Sequence, residues 1–237
     1  LTVLFLGAEA APLIKIGGLG DVAGSLPGTL INLPESLDVR LVLPYYPPIK
    51  KTDIEVEPVA SFAIYHDRGP ITAEVFQTDL NRVTTYLVGG KPIWDAPKVY
   101  STDARQDGHK FCFFSLAALE LARILEWQPD IIHAHDWHAS PAVYKLHLVR
   151  DRESFFRNTK TLLTVHNLPY LGYDTGLELG AFGLPRAHLS PLPDWAEHLP
   201  LPLGLLAADM INTVSNGYAK EILTPEFGAS LEGFLQT

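Results

Sequence analysis

Four short apolar runs constrain this chain more than anything else in it: TVLFLG at residues 2–7, DIIHAH at 130–135, KTLLTVHN at 160–167 and MINTVS at 210–215. Each is continuous rather than alternating, the pattern of a strand covered on both faces, and each ends in a glycine or a polar residue. Segments of helical spacing lie between them. GDVAGSLPGTLIN (20–32) follows the first run, and GHKFCFFSLAALELARILEW (108–127) repeats apolar residues at three and four spacing for nearly twenty positions. A helix near PAVYKLHLVRDR (141–152) separates the second run from the third, and NGYAKEIL (216–223) follows the fourth. Buried strands that alternate with helices specify an α/β fold, a doubly wound Rossmann-like sheet.

Smaller features refine this picture. Pro27 falls inside the first helix, where its missing N–H predicts that it kinks the helix or lies near a break. VRLVLP (39–44), ITAEVF (71–76) and TTYLVG (84–89) read as further strands, with residues 50–90 forming an antiparallel insertion or edge. Residues 168–200 are rich in glycine and proline and read as loops and short helices.

At 237 residues the chain fits one large domain. A net charge of −9 argues against a nucleic-acid partner held through phosphate contacts. Membrane spanning is not expected, because Lys15, Arg40, Glu120 and Arg123 interrupt the apolar runs before they reach the roughly 20 residues a bilayer helix needs. The first run lacks a basic leading region and a small-residue cleavage pattern, so it reads as a strand and not a signal peptide. The single cysteine, Cys112, sits among aromatics and reads as a packed thiol in a reducing compartment.

In an open α/β sheet, ligands bind beyond the carboxyl ends of the strands. Glu9, Lys15, Gly17, Gly18 and Asp21 follow the first run; His135, Asp136, Trp137 and His138 follow the second; His166 and Asn167 close the third; Ser215 and Asn216 close the fourth. Gly17 and Gly18 would let a ligand approach the backbone at the start of a helix whose N–H groups are free, and Lys15 adds a full charge. Together they suggest an anion site, although glycines also serve tight turns and close helix packing. The stretch is neither a P-loop nor a dinucleotide fingerprint, since it lacks both Gly-Lys-Ser/Thr and Gly-x-Gly-x-x-Gly. HAHDWH (133–138) contains four residues of metal-ligand type, His133, His135, Asp136 and His138, but the spacing favours polar groups lining a sugar pocket, and no metal site is expected. Trp137 reads equally as a core aromatic. Asp136 could bind a hydroxyl, stabilise positive charge at a reacting carbon, or cap the next helix.

KIGGLGDVAGSLP, HAHDWHA, TVHNLPYLG and ADMINTVSNGYAKEILTPEFG resemble, in order and spacing, the signature segments of bacterial glycogen synthases and plant starch synthases. The resemblance spans residues 1 to about 235. It implies a glycosyltransferase of GT-B architecture, two Rossmann-like domains facing a cleft, of which residues 1–237 are the amino-terminal, acceptor-side half and from which the carboxyl-terminal nucleotide-binding domain is missing. The implied reaction is transfer of glucose from ADP-glucose to the non-reducing end of an α-1,4-glucan with retention of configuration, in the cytoplasm and without a cofactor. On the same grounds Lys15, Gly17, Gly18 and Asp21 bind the donor, and Glu9, Asn167, Trp137 and His138 bind the acceptor. His166 and Asp136 act at the reacting centre. Pro202 departs from the pattern, standing where the family usually carries a lysine. The expected partners are ADP-glucose, glycogen or malto-oligosaccharides, and the missing half. A non-catalytic glucan-binding module of the same fold, or another GT-B transferase, is the alternative.

Overall fold

The computed structural model describes residues 1–96, 98–188 and 190–237. Eight strands form one sheet in the order β3-β4-β5-β2-β1-β6-β7-β8. The strands are β1 (Thr2–Leu6), β2 (Asp38–Pro44), β3 (Glu57–Ile64), β4 (Ile71–Leu80), β5 (Val83–Gly89), β6 (Ile131–His135), β7 (Lys160–Val165) and β8 (Met210–Thr213). All pairings from β5 through β8 are parallel, whereas β3, β4 and β5 form an antiparallel meander at one edge. The expected antiparallel edge is therefore present, with β5 its bridge to the parallel body. Strand order runs outward from β1 to β2 on one side and from β6 to β8 on the other. The topological switch point thus lies between β1 and β6, where a crevice opens at the carboxyl ends.

The helices are α1 (Gly18–Leu30), α2 (Pro47–Lys50), α3 (Lys91–Trp94), α4 (Ala104–Ile124), α5 (Asp136–Val149), α6 (Gly176–Ala181), α7 (Pro200–Ala207), α8 (Asn216–Glu221) and α9 (Glu232–Leu235). Pro27 lies near the end of α1. It stands in the last turn, so the helix forgoes only the bond to the Ala23 carbonyl, and the Pro27 carbonyl still accepts Ile31 N–H at 3.1 Å. The long helix α4 starts ahead of the periodic pattern because Asp103 caps it, accepting the N–H groups of Arg105 and Gln106.

Three elements differ from expectation, each for a physical reason. Helix α5 begins directly at Asp136 and runs through Pro141, because Asp136 takes a left-handed φ of +55° and turns the chain from strand to helix in one step. Helix α7 gives no amphipathic signal because nearly all of it is buried against α5. Strand β8 is not covered on both faces: Met210, Ile211 and Asn212 are exposed, since β8 is an edge of the sheet, paired among the described residues with β7 alone.

Candidate functional site

A cleft of about 860 Å³ opens above the switch point. Its walls come from the loop after β1 (Glu9, Gly17, Gly18), the start of α5 (Asp136, Trp137, His138), the end of β7 (His166, Asn167) and Val214 after β8. Four strand ends read from the sequence therefore converge on one cavity.

Glu9 organises the first wall. It is buried, and its Oε2 accepts the N–H groups of Ile16 and Gly17, the latter at 3.0 Å, while its Oε1 accepts the Tyr100 hydroxyl at 2.9 Å. Burial and the facing Glu9 carboxylate push the Tyr100 phenol far above its ordinary range, so it stays protonated and donates. The glycines beside Glu9 differ in purpose. A Cβ on Gly24 would stand 2.4 Å from the Ala11 carbonyl oxygen, and one on Gly20 would stand 3.0 Å from both Glu9 and Lys15, so the packing of α1 on this loop requires them. A Cβ on Gly18 would meet nothing within 4 Å, and Gly17 has an ordinary extended conformation with only Glu9 nearby. Neither is demanded by the protein's own packing. Gly17, at the N-cap of the 13-residue helix α1, gives the first N–H groups no side-chain partner.

Lys15 and Asp21 stand outside the lining of the cavity. They are exposed and paired with each other at 2.7 Å, so the lysine charge is already offset by a carboxylate.

Asp136 carries the second wall. Its Oδ1 accepts the backbone N–H of His166 at 2.7 Å and of Asn167 at 3.4 Å, which joins the ends of β6 and β7. Burial pushes its carboxyl up to about 7, against the lowering effect of those two N–H groups. A left-handed φ on a buried non-glycine residue is uncommon and concentrates at functional sites.

His166 Nε2 lies 2.9 Å from His135 Nδ1. His135 is fully buried and its Nε2 has no partner. An orphaned acceptor is tolerated better than an orphaned N–H, so the favoured tautomer has His135 Nδ1–H donating to His166 Nε2. This leaves His166 with a proton on Nδ1, for which the described residues offer no acceptor. Burial lowers the His166 pKa, so the ring is a neutral donor rather than a cation.

His138 is pressed among Tyr100, Phe111 and Trp137, with ring centroids 4.5–5.0 Å away, and burial lowers its pKa to about 3. Trp137 is at once a core aromatic, edge-on to Phe111, and part of the cleft wall. The imidazoles of HAHDWH turn to separate neighbours: His133 bonds Thr164 at 2.7 Å and His135 bonds His166. Ser215 is a helix cap, its Oγ accepting Tyr218 N–H at 3.0 Å. Tyr100, Asp107, Tyr170 and Tyr173 also line the cleft and were not singled out from the sequence. All four lie on loops or a helix start; Tyr170 falls within the quoted TVHNLPYLG segment, whereas Tyr100, Asp107 and Tyr173 lie outside every quoted segment.

A family model described as the starch synthase catalytic domain matches residues 2–237. A glycogen synthase of Variovorax paradoxus is 36% identical over 254 residues, covering 100% of this chain and 50% of that protein. A glycogen synthase of Moorella thermoacetica is 35% identical over 241 residues, covering 100% and 48%. The solved catalytic domain of starch synthase IV from Arabidopsis thaliana, bound to ADP and acarbose, superposes with a TM-score of 0.84 at 26% identity, covering 100% of this chain and 49% of that one. The chain spans about half the length of the relatives it matches.

Proposed function

Since this chain belongs to the starch synthase catalytic domain family, we propose that it is the amino-terminal, acceptor-side half of a glycogen or starch synthase. The complete enzyme transfers glucose from ADP-glucose to the non-reducing end of an α-1,4-glucan with retention. The observation that carries this reading is the glycine pair at the uncapped start of α1, set in the wall of the cleft and free of any packing demand. Backbone N–H groups and the positive end of a helix dipole are suited to the charge that grows on a departing diphosphate. Lys15, at the rim, exchanges Asp21 for the donor and adds its charge there.

On the opposite wall, Asp136 and His166 face the sugar. The reading assigns Asp136, in its ionised form, to support of positive charge at the anomeric carbon, and through Oδ1 to alignment of His166 and Asn167. His166 donates from Nδ1 to a donor-sugar oxygen. Retention then follows from attack on the face the leaving group departs, with a phosphate oxygen taking the acceptor proton. Trp137, His138 and Asn167 border the acceptor side, and Glu9 acts by holding the donor loop. No metal or organic cofactor enters this scheme. The residues that read the nucleotide base belong to a second domain. One buried, unpaired cysteine suits a cytoplasmic location.

The test is complementation. The 237-residue chain is assayed with ADP-glucose and malto-oligosaccharides alone and after fusion to the carboxyl-terminal half of the Variovorax paradoxus relative. The chain alone is expected to bind glucan weakly and transfer nothing, the fusion to transfer glucose, and Lys15→Ala in the fusion to lower the rate by about 10²–10³. Transfer by the chain alone overturns the split-site account. An inactive fusion whose glucan affinity is unchanged by Lys15→Ala points to a non-catalytic binding module.

A further inference from the structure

Away from the cleft, three side chains from three elements meet where the β3–β4 hairpin docks on the helices. His66 lies in the hairpin turn, His109 near the start of α4 and Glu178 in α6. One ring nitrogen of each histidine and one carboxylate oxygen of Glu178 all lie within 4.8 Å of one another. His109 Nδ1 and Glu178 Oε2 are 3.0 Å apart. The imidazoles cross edge to face at 5.0 Å, and both pack on Phe182.

A second observation separates this group from an ordinary polar cluster. His66 is only 7% exposed, and its Nε2 is buried without any partner. Such a nitrogen is costly to leave unpaired. Its Nδ1 accepts the Arg68 backbone N–H at 3.2 Å, and Asp67 Oδ1 lies 3.2 Å from the same nitrogen. That bond leaves the ring proton on the unpartnered Nε2; an ion at Nε2 would shift it to Nδ1, where Asp67 Oδ1 takes the place of Arg68 N–H as partner. That is the carboxylate–histidine arrangement which orients metal-bound imidazoles.

We propose that His66, His109 and Glu178 bind a divalent transition-metal ion of the zinc class, with water completing the shell. Two imidazoles and one carboxylate suit Zn²⁺ and its neighbours better than Mg²⁺ or Ca²⁺, which take oxygen ligands. Bonds of about 2.0–2.2 Å to a tetrahedral ion place ligand atoms roughly 3.3–3.5 Å apart. The His109–Glu178 pair, 3.0 Å apart, is already near that spacing, and no pair of ligand atoms is more than 4.8 Å apart. The ion ties the hairpin turn to α4 and α6, reinforcing the existing bond from Asp67 N–H to the Ala181 carbonyl at 2.9 Å. Helix α6 directly follows Thr175, which lines the cleft, so the clamp also steadies the segment carrying Tyr170 and Tyr173.

The experiment uses Zn²⁺ alone, titrated into the chelator-treated chain in competition with a chromophoric chelator. Co²⁺ is added separately to read ligand geometry from its visible absorption. One equivalent is expected to bind and to raise Tm. Glu178→Gln and His109→Ala are expected to abolish both effects, and Asp67→Asn to weaken binding about 10–100-fold. Circular dichroism confirms that the Glu178→Gln and Asp67→Asn variants are folded. Absence of a saturable one-to-one site overturns the proposal. So does one whose affinity is the same in Glu178→Gln and the parent, which would place the ion elsewhere, among the histidines of the cleft.

Discussion

Asp136 Oδ1 accepts the backbone N–H of His166 at 2.7 Å, so a single buried carboxyl joins the ends of two adjacent strands and positions an imidazole at the cleft. The same carboxyl is strained in charge. A group moved by burial from the ordinary 3.8 to about 7 gives up as much as about 4 kcal/mol of folding free energy at neutral pH, at 1.36 kcal/mol per pH unit. The sign is that of a raised acid: the folded form resists ionisation, and the penalty develops as pH rises from 3.8 towards 7. Asp136→Asn keeps the acceptor oxygen and removes the charge. It should melt higher than the parent at pH 7, with the gap closing towards pH 4, while transfer in the complemented enzyme falls sharply. Equal melting temperatures at pH 7 would contradict this account.

Histidines set the opposite limit. Burial lowers His133 to about 4 and His138 to about 3, from an ordinary 6.5. The unfolded chain takes up these protons below pH 6.5 and the folded chain does not, so stability falls as pH drops from 6.5 towards 4. At pH 5 the two together remove about 4 kcal/mol. Urea unfolding at pH 7 and pH 5 measures the loss directly, and His133→Gln should show a smaller one. A pH-independent midpoint over that range would show that neither ring is held neutral.

Lys110 has no exposed surface. Its Nζ donates to Asp107 Oδ1 at 2.6 Å and to the Val99 carbonyl at 2.6 Å, while Asp107 Oδ2 accepts Ser101 N–H at 2.8 Å. This knot holds the loop that presents Tyr100 to Glu9. Lys110→Met leaves the Asp107 carboxylate unpaired and should cost about 3–5 kcal/mol in urea unfolding. Adding Asp107→Asn should recover part of it. A cost below about 1 kcal/mol for the single variant would mean that water replaces the ammonium.

Gly18 and Gly24 separate ligand from packing. Gly24→Ala forces a Cβ against the Ala11 backbone and should destabilise the chain by about 1–3 kcal/mol. Gly18→Ala meets open space and should leave stability within about 1 kcal/mol of the parent, yet weaken donor use in the complemented enzyme. Thermal melts and donor KM values distinguish the two. Unaltered KM in Gly18→Ala would remove the glycine pair from the donor site.

Much of the site was legible because the parallel body of the sheet announces itself. β1, β6 and β7 are unbroken apolar runs, and polar residues at their ends have little reason to stand there except to face a crevice. Glu9, Asp136, His166 and Asn167 were found in that way. The work of Glu9 was not, since its bonds to Ile16, Gly17 and Tyr100 depend on how a loop folds back and on a tyrosine 91 residues away. Pro141 masked the true start of α5, because the left-handed turn at Asp136 leaves no trace in hydrophobic spacing. Helix α7 was hidden for the reverse reason: burial on nearly every side erases periodicity. His66, His109 and Glu178 share no motif and meet only through the docking of the hairpin.

The neighbouring positions of β1 and β6 also govern how the chain is born. Thr2 N–H reaches Asp130 Oδ2 at 2.7 Å across 128 residues of sequence, so these two neighbouring strands of the parallel body are far apart in order of synthesis. At about 5–20 residues per second, β1 waits roughly 6–25 s on the ribosome for its partner, its apolar surface uncovered on that side. The crevice between them cannot exist before that closure, so the candidate site forms only once strands far apart in sequence have met, and early folding intermediates of this chain are natural clients for chaperones.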